Sequence, residues 1–361
     1  MSRIFNFAAG PATLPLPVLE QARDEFVDYK NTGMSLVESS HRGKAYDQVH
    51  YEAMGLFKEL LGLPDNYKIL FLGGGATLQF SMIPLNLMPE GGSCDFTLTG
   101  TWAKKALGDA KKVGGVNVVY DGTDEKFNRM PSPAELDLDP KAAYFHLTSN
   151  ETIGGIQWKE WPNSGDVPMV CDMSSDIMSR PLPVEKFGLI YAGAQKNLAP
   201  SGLCVVIIRE DLIDRAPRDL TAYLSYKIHA DKDSLYNTPP VFSIWMVKMV
   251  LEWVKAQGGL PAMETMAKKR SGLLYSTMAD SSGYYRCPVD EKTRSTMNVV
   301  WRLPTEELEK KFIAESLAVG FSGLKGHRSV GGCRASIYNA MPLEGVTGLV
   351  DFMKEFQRIN G

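Results

Sequence analysis

The sequence predicts an α/β protein, with a large domain on a seven-stranded, mostly parallel sheet and a smaller α+β domain after it. Seven short apolar runs alternate with segments of helical spacing, which is typical of parallel sheets. Several runs are apolar almost throughout, as in strands that are covered on both faces. The runs are Ile69–Leu72, Cys94–Leu98, Val116–Tyr120, Ala143–Thr148, Met169–Cys171, Leu189–Ala192 and Cys204–Ile208.

The pattern along the chain predicts three regions. Residues 1–17 are rich in Pro, Gly and Ala and predict an N-terminal arm, residues 18–258 a large domain, and residues 259–361 a small C-terminal domain. The small domain begins after Gly258 and contains a strand-like segment at Ser295–Arg302. The predicted helices are Val18–Tyr29, Leu78–Leu87, Trp102–Val113, Ser243–Gln257, Met263–Met278 and Glu306–Ala318.

The composition argues against several classes of protein. A net charge of −3 over 361 residues leaves no basic excess for nucleic acid or an anionic membrane. Five cysteines without paired spacing fit a reducing compartment and predict no metal site. The most apolar stretch, Val241–Val254, is too short to span a bilayer, and the N-terminus has no signal pattern. We therefore expect a cytoplasmic protein that binds anions through local arginines.

Four groups follow predicted strands, at the edge where parallel α/β sheets bind ligands. Gly73–Thr77 turns into a helix N-terminus, which suits a phosphate group. Trp102 offers a flat ring for stacking. Asp172 ends a buried strand, where an acid needs a cationic partner. Lys196 lies among small residues, a setting in which desolvation makes an amine nucleophilic.

Each of these groups alone has an ordinary structural explanation, as a tight turn, a core aromatic, a capped turn or a solvated loop lysine. Together they follow the order expected for pyridoxal phosphate (PLP): phosphate site, stacking ring, acid for the ring nitrogen, then lysine. Asp172 would keep the ring protonated and Lys196 would form the Schiff base. The combination predicts a PLP-dependent aminotransferase.

Three arginines are candidates for binding the anionic groups of a substrate. Arg42 and Arg328 each follow a histidine, His41 and His327, in segments bordered by glycine, and Arg334 follows shortly after. Arginine binds planar and tetrahedral oxyanions at two points, so these residues suit substrates with two anionic groups. A single His-Arg pair is also typical of a surface salt-bridge cluster.

Six segments resemble the phosphoserine aminotransferase family. They are Asn6–Ala12, Ser39–Gly43, Tyr191–Asn197, Tyr236–Pro240, Lys325–Arg328 and Arg334–Met341. The resemblance implies a PLP-dependent transferase of fold type I, a homodimer with shared active sites. It also implies amino transfer between L-glutamate and 3-phosphohydroxypyruvate, a phosphorylated 2-oxo acid, and a second reaction in pyridoxine biosynthesis that many family members carry out.

The same resemblance implies the roles of individual residues. The cofactor residues are Ala76, Thr77, Trp102, Thr152, Asp172, Gln195 and Lys196, with Asn237 and Thr238 from the partner subunit. Arg334 is implied to bind the α-carboxylate, and the distal anion is implied to contact His41 and Arg42 of the partner subunit together with His327 and Arg328. Many members have Gly-Arg where this chain has Ala76-Thr77, a change that is tolerable if backbone N–H groups bind the phosphate.

Other functions stay open at this point. Within the same fold, the candidates are an alanine–glyoxylate type aminotransferase and a cysteine desulfurase, for which Cys333 beside Arg334 would be the nucleophile. A nicotinamide dehydrogenase would explain the Gly73-Gly74-Gly75 turn, but the glycine spacing and a ribose-binding acid are missing. A non-catalytic binding protein leaves the order of Asp172 and Lys196 unexplained.

Overall fold

The computed structural model describes residues 3–361 and has the α/β architecture that the sequence predicts. Its helices are α1 (Leu16–Glu25), α2 (Lys44–Leu61), α3 (Gly75–Leu87), α4 (Thr101–Ala110), α5 (Glu210–Ile213), α6 (Tyr226–Asp231), α7 (Val241–Ala256), α8 (Gly259–Ala279), α9 (Glu306–Ala318) and α10 (Leu343–Asn360). Its strands are β1 (Phe5–Asn6), β2 (Tyr67–Leu72), β3 (Ser93–Leu98), β4 (Gly115–Asp121), β5 (Phe145–Thr148), β6 (Asn150–Glu151), β7 (Ile156–Gln157), β8 (Met169–Asp172), β9 (Phe187–Gly193), β10 (Cys204–Arg209), β11 (Asn298–Trp301), β12 (Phe321–Ser322) and β13 (Cys333–Ser336).

The central sheet has seven strands in the order β2-β10-β9-β8-β5-β3-β4, which confirms the predicted sheet. Strands β9, β8, β5, β3 and β4 are parallel to one another. Strand β10 is antiparallel to both of its neighbours, so β2 runs in the same direction as the parallel set. The carboxyl ends of six strands therefore lie along one edge, where ligands bind in sheets of this kind.

Both faces of the sheet are buried, and alternate residues of a strand enter different cores. In β2, Ile69 and Phe71 pack in one apolar cluster with residues of α2 and α7. Their neighbours Leu70 and Leu72 pack in a second cluster with residues of α3 and α4. This alternation explains why the strands are continuous apolar runs in the sequence.

All six predicted helices are present, and the differences at the starts of two of them have local causes. Helix α9 spans the predicted residues, and the Thr305 side chain caps it by accepting the Leu308 N–H. Helix α1 begins earlier than predicted, at Leu16, because Pro17 is compatible with a first turn. Helix α8 likewise begins before the predicted Met263, with a proline in its first turn. No helix among residues 3–361 is long and apolar enough to cross a lipid bilayer.

The N-terminal arm contacts two distant parts of the chain. Residues 1–2 of the predicted arm lie outside the described residues. Strand β1 pairs in parallel with β12, and Phe7 is buried in an apolar cluster of C-terminal residues. Further along, the N–H of Ala12 donates a 2.9 Å hydrogen bond to the carbonyl of Gln195. The arm therefore connects the C-terminal region to the segment that follows β9.

The apolar clusters support a division of the chain near residue 258, which stays a proposal. A separate cluster combines residues from β11, β13, α9 and α10. Helix α8 takes part in both regions, because Leu260 and Met263 pack in the large core and Leu274 and Met278 in the C-terminal cluster. We propose residues 18–258 as the large domain and residues 259–361 as the small one.

We predict that Gly323→Ala destabilises the junction between the arm and the C-terminal region. Gly323 has a φ of +82°, and a Cβ there would lie 2.5 Å from the backbone nitrogen of Ala8. The strained backbone and the clash should lower the free energy of unfolding by about 2 kcal/mol or more, measured by urea denaturation. Gly272→Ala is the control, because a Cβ there meets nothing within 4 Å and α8 should gain ~0.5–1 kcal/mol. Equal stability of the two variants would contradict this prediction.

Candidate active site

The carboxyl edge of the sheet brings together several of the predicted site residues. Trp102 lies in the first turn of α4, just after β3, and Asp172 is the last residue of β8. Lys196 follows the end of β9 by three residues, and its Nζ lies 5.5 Å from the centroid of the Trp102 ring. These side chains lie together because parallel strands end at the same edge.

The amine of Lys196 is held in a confined setting. The side chain is only 9% exposed, and Nζ donates a 2.7 Å hydrogen bond to Oγ1 of Thr152. Burial lowers the pKa of Lys196, although the negative charges of Asp172 and Glu151 act in the opposite direction. A lowered pKa increases the fraction of neutral amine, which is the nucleophilic and basic form.

The N-terminal arm lies against the aliphatic part of the Lys196 side chain. A Cβ on Gly10 would lie 3.3 Å from Cγ of Lys196 and 3.5 Å from Cγ of Gln195. A larger residue at position 10 would therefore press on both side chains. Gln195 is bound through its backbone to the arm, and its side chain is half-buried beside Gly193.

Asp172 is a buried carboxyl group with one close backbone donor. It is 5% exposed and accepts a 2.9 Å hydrogen bond from the N–H of Ser174. Burial raises the pKa of Asp172, and the positive charge of Lys196 opposes this effect. A buried acid in this position suits a second cationic partner, such as a protonated ring nitrogen.

The turn between β2 and α3 has room for an anion at the start of a helix. Helix α3 begins at Gly75, with Ala76 and Thr77 in its first turn. No side chain within residues 3–361 caps this N-terminus, and a Cβ on Gly75 would meet nothing within 4 Å. The exposed N–H groups and the dipole of a helix N-terminus favour a phosphate group.

Thr152 and Arg334 connect the lysine to the C-terminal region. Oγ1 of Thr152 accepts from Lys196, and the carbonyl oxygen of Thr152 accepts a 3.3 Å hydrogen bond from Nη1 of Arg334. Arg334 is 9% exposed, and its Nε has no hydrogen-bond partner among the described residues. Burial lowers the pKa of Arg334. A buried guanidinium with a free donor is well suited to bind a carboxylate.

A cleft of about 520 Å³ opens beside this arginine. His327 lines it together with Arg334, Lys126 and Phe127, and no acidic residue of the described chain contributes to its lining. Nδ1 of His327 lies 2.7 Å from Oγ of Ser329. Burial, together with the charges of Arg334, Arg328 and Lys105, lowers the pKa of His327. The cleft therefore suits a ligand that carries negative charge.

Arg328 is exposed and does not line this cleft in the described part of the chain. Four further residues that were predicted for the substrate or for the partner subunit also lie away from it in the single chain. His41 and Arg42 precede α2, and neither lines the cleft in the part of the chain that the structure describes. Asn237 and Thr238 instead line a smaller cleft of about 250 Å³ that also includes Gly73. These four are the residues that the family resemblance implies to act from the partner subunit.

Two residues without a sequence-based role also lie at the site. Glu151 is 1% exposed and accepts a 3.2 Å hydrogen bond from the N–H of Ala103. Nζ of Lys105 lies 4.5 Å from the centroid of the Trp102 ring. The signal for Lys105 was its spacing, because it follows Trp102 by three positions, about one helical turn. For Glu151, the only sequence feature was that an acidic residue directly precedes Thr152.

We predict that Lys196→Met stabilises the ligand-free protein. The unfolded chain keeps the ordinary lysine pKa of 10.5, so between the lowered pKa and 10.5 the native state binds fewer protons than the unfolded state. The contribution of this lysine to stability therefore rises with pH in that window and is least favourable below it. The variant should melt at a higher temperature near pH 7, by roughly 2–4 °C for each kcal/mol of burial cost removed.

The gain from Lys196→Met should shrink as the pH is raised from 7 to about 9.5, because the native amine loses its proton at a lower pH than the unfolded lysine does. Thermal unfolding at both pH values checks this dependence. Lys104→Met is the matched control, since Lys104 is an exposed lysine on α4. A gain that is the same for both variants would contradict the prediction.

Comparisons with known proteins agree with these features of the site. Residues 4–349 match the family model of class-V aminotransferases. A phosphoserine aminotransferase of Desulfosudis oleivorans is 52% identical over 361 residues, which cover 99% of each chain. The solved structure of a phosphoserine aminotransferase from Bacillus circulans subsp. alkalophilus superposes with a TM-score of 0.98, at 52% identity and 99% coverage of both chains. A second solved phosphoserine aminotransferase, studied for radiation damage of its Schiff base, has a TM-score of 0.98 at 45% identity, covering 99% of this chain and 100% of its own.

The residues at the edge of the sheet fit the cofactor of this family. A desolvated lysine, a buried acid, an indole face and an open helix N-terminus match the aldehyde, the ring nitrogen, the ring and the phosphate of PLP. The chain belongs to the class-V aminotransferases, and within them to the PLP-dependent phosphoserine aminotransferases of fold type I.

Proposed function

We propose that this enzyme transfers an amino group reversibly between L-glutamate and 3-phosphohydroxypyruvate, giving 2-oxoglutarate and O-phospho-L-serine for L-serine biosynthesis. The observation that carries the proposal is the acid-free cleft with His327 and Arg334 beside the buried amine of Lys196. Each substrate has an α-carboxylate and a second anion, so each needs two cationic contacts. Relatives that are 52% identical over 99% of this chain are named phosphoserine aminotransferases. An alanine–glyoxylate type aminotransferase is therefore not favoured.

A cysteine desulfurase is disfavoured by the state of Cys333. That side chain is 1% exposed, and burial raises the pKa of its thiol. A desulfurase needs a mobile and reactive thiolate, whereas a buried cysteine of this kind acts as a small apolar residue.

The cofactor contacts are proposed from the positions of the side chains. When bound, PLP supplies an electron sink for the charge that develops at the substrate α-carbon. We propose that Asp172 holds the proton on the ring nitrogen and that Trp102 stacks on the ring. The first-turn backbone at Ala76 and Thr77 would bind the phosphate. The other proposed contacts are Thr152, Gln195 and Lys196 from this chain and Asn237 and Thr238 from a partner subunit.

The proton transfer is proposed for the amine of Lys196. Nζ would take the proton from the substrate α-carbon and return it at the carbon that carries the aldehyde group in free PLP, as a general base and then a general acid. Its lowered pKa keeps part of the amine neutral, and the Thr152 hydroxyl fixes its direction. Such an amine is suited to move protons in both directions of a reversible reaction.

The substrate contacts complete the proposal. Arg334 would bind the α-carboxylate, because its guanidinium donates a hydrogen bond to the carbonyl of Thr152 and is thereby held near Lys196. The distal phosphate or carboxylate would contact His327 and Arg328 from one subunit, with His41 and Arg42 of the partner. We therefore propose a cytoplasmic homodimer with shared active sites. A longer phosphorylated 2-oxo acid, the intermediate of pyridoxine biosynthesis, offers the same two anions and is proposed as a second substrate.

Replacing Lys196 by alanine should remove both the cofactor absorbance and the activity. Loss of the covalent attachment point and of the general base is expected to lower glutamate-dependent amination of 3-phosphohydroxypyruvate more than about 10³-fold. Absorbance spectra of the purified protein and a 2-oxoglutarate release assay measure the two effects. Lys104→Ala should retain both properties. A yellow, active Lys196→Ala protein would refute the assigned role of this lysine.

Mixing two inactive variants tests whether active sites are shared between subunits. Lys196→Ala and Arg42→Ala proteins, unfolded together and refolded as an equal mixture, should regain about a quarter of native activity, because half of the dimers are hybrids with one intact site. A mixture of Lys196→Ala with Asp172→Asn is the control and should stay inactive, since both residues act from the same chain. If the first mixture also stays inactive, Arg42 does not act across the interface.

A further inference from the structure

Glu151 is a buried carboxyl group that binds the start of the helix carrying Trp102. It ends the short strand β6, and its Oε1 accepts the N–H of Ala103 at 3.2 Å and lies 3.5 Å from the hydroxyl of Thr99. A helix N-terminus is usually capped by the residue just before it. Here that residue is Gly100, which has no side chain, and the acceptor comes from 48 positions further along the chain.

The packing around Gly100 leaves the carboxyl group little freedom. A Cβ on Gly100 would lie 2.5 Å from the carboxyl carbon of Glu151 and 2.6 Å from its Oε2. The carboxyl group therefore lies directly on the backbone that precedes α4. The start of the helix and the Glu151 side chain fix each other's positions by contact as well as by hydrogen bonding.

Keeping an acid here is costly for the fold. Oε2 of Glu151 has no hydrogen-bond partner among the described residues. Burial raises the pKa of Glu151 to about 7, the charge of Asp172 acts in the same direction, and the Ala103 N–H and Lys196 oppose it. A buried acid with one unsatisfied oxygen and a shifted pKa is more typical of a functional site than of a core that is optimised for stability.

The neighbouring residue links this acid to the reacting amine. Thr152 accepts the hydrogen bond of Lys196, whereas Glu151 binds the first turn of α4. Two consecutive residues therefore fix the lysine and the helix of Trp102 relative to each other. Nζ of Lys196 and the centroid of the Trp102 ring lie 5.5 Å apart between these two contacts.

We propose that Glu151 is a positioning residue that holds the indole of Trp102 at the correct place for stacking on the cofactor ring. This inference rests on the proposed stacking role of Trp102. In positioning Trp102, Glu151 acts through the shape and hydrogen bonding of its carboxyl group, and this role is separate from the effect of its charge on the pKa of Lys196. Glutamine should therefore replace it, and aspartate, which is shorter, should not.

The test compares the dissociation constants of PLP from the refolded, cofactor-free enzyme, followed by absorbance and by the circular dichroism of the bound cofactor. Glu151→Asp and Glu151→Ala should weaken binding about tenfold, as expected for the loss of a buried cap contact, and should reduce the circular dichroism signal. Glu151→Gln should stay within about threefold of the native enzyme, because the amide oxygen can still accept the Ala103 N–H.

A double-mutant cycle with Trp102→Ala separates positioning from general damage to the fold. Once the indole is absent, Glu151→Asp should cause no further loss of PLP affinity. An equal loss in both backgrounds would overturn the inference, as would an aspartate variant that binds PLP better than the glutamine variant. If Trp102→Ala alone binds PLP with native affinity, the proposed stacking role of Trp102 is refuted. The inference about Glu151, which rests on that role, is then refuted with it.

Discussion

The burial of one amine between two acids is the constraint on which the rest of the site depends. Desolvation lowers the pKa of Lys196, while Asp172 and Glu151 raise it. A closer acid would lock the lysine into a permanent ion pair, and a more distant one would leave the buried charge uncompensated. The sheet sets the spacing, because Asp172 pairs with Tyr191 on the adjacent strand, five positions before the lysine.

Much of the fold could be predicted because burial on both faces of the sheet leaves a strong trace in the sequence. The seven apolar runs correspond to β2, β3, β4, β5, β8, β9 and β10. Strand direction left no such trace, since a strand that is buried on both faces has the same composition whichever way it runs. The antiparallel β10 therefore became visible only in the structure. Helix α2 had a readable pattern in its buried Tyr46, Val49, Ala53 and Phe57, although no helix was predicted there.

Some residues of the site could likewise be predicted from the sequence, and others could not. Asp172 and Lys196 were predictable because each follows an apolar strand, and parallel strands end at a common edge. Glu151 was not, because its partner is a backbone N–H of a helix 48 positions away, and local sequence does not encode such a contact. Asn237 and Thr238 came only from family resemblance, whereas the His-Arg pattern had already marked His41 and Arg42 as anion-binding candidates. All four lie away from the cleft in a single chain, so residue patterns could not place them at the same site.

The N-terminal arm has a mechanical consequence. One end of it forms the pairing of Phe5–Asn6 with Phe321–Ser322, and the other end is bonded through Ala12 to the residue before Lys196. Only a few residues separate these attachments, so the arm acts as a short tether. Any rotation of the C-terminal region would pull on the lysine loop directly, without passing through the sheet. The arm is therefore a linkage between the C-terminal region and the reacting amine.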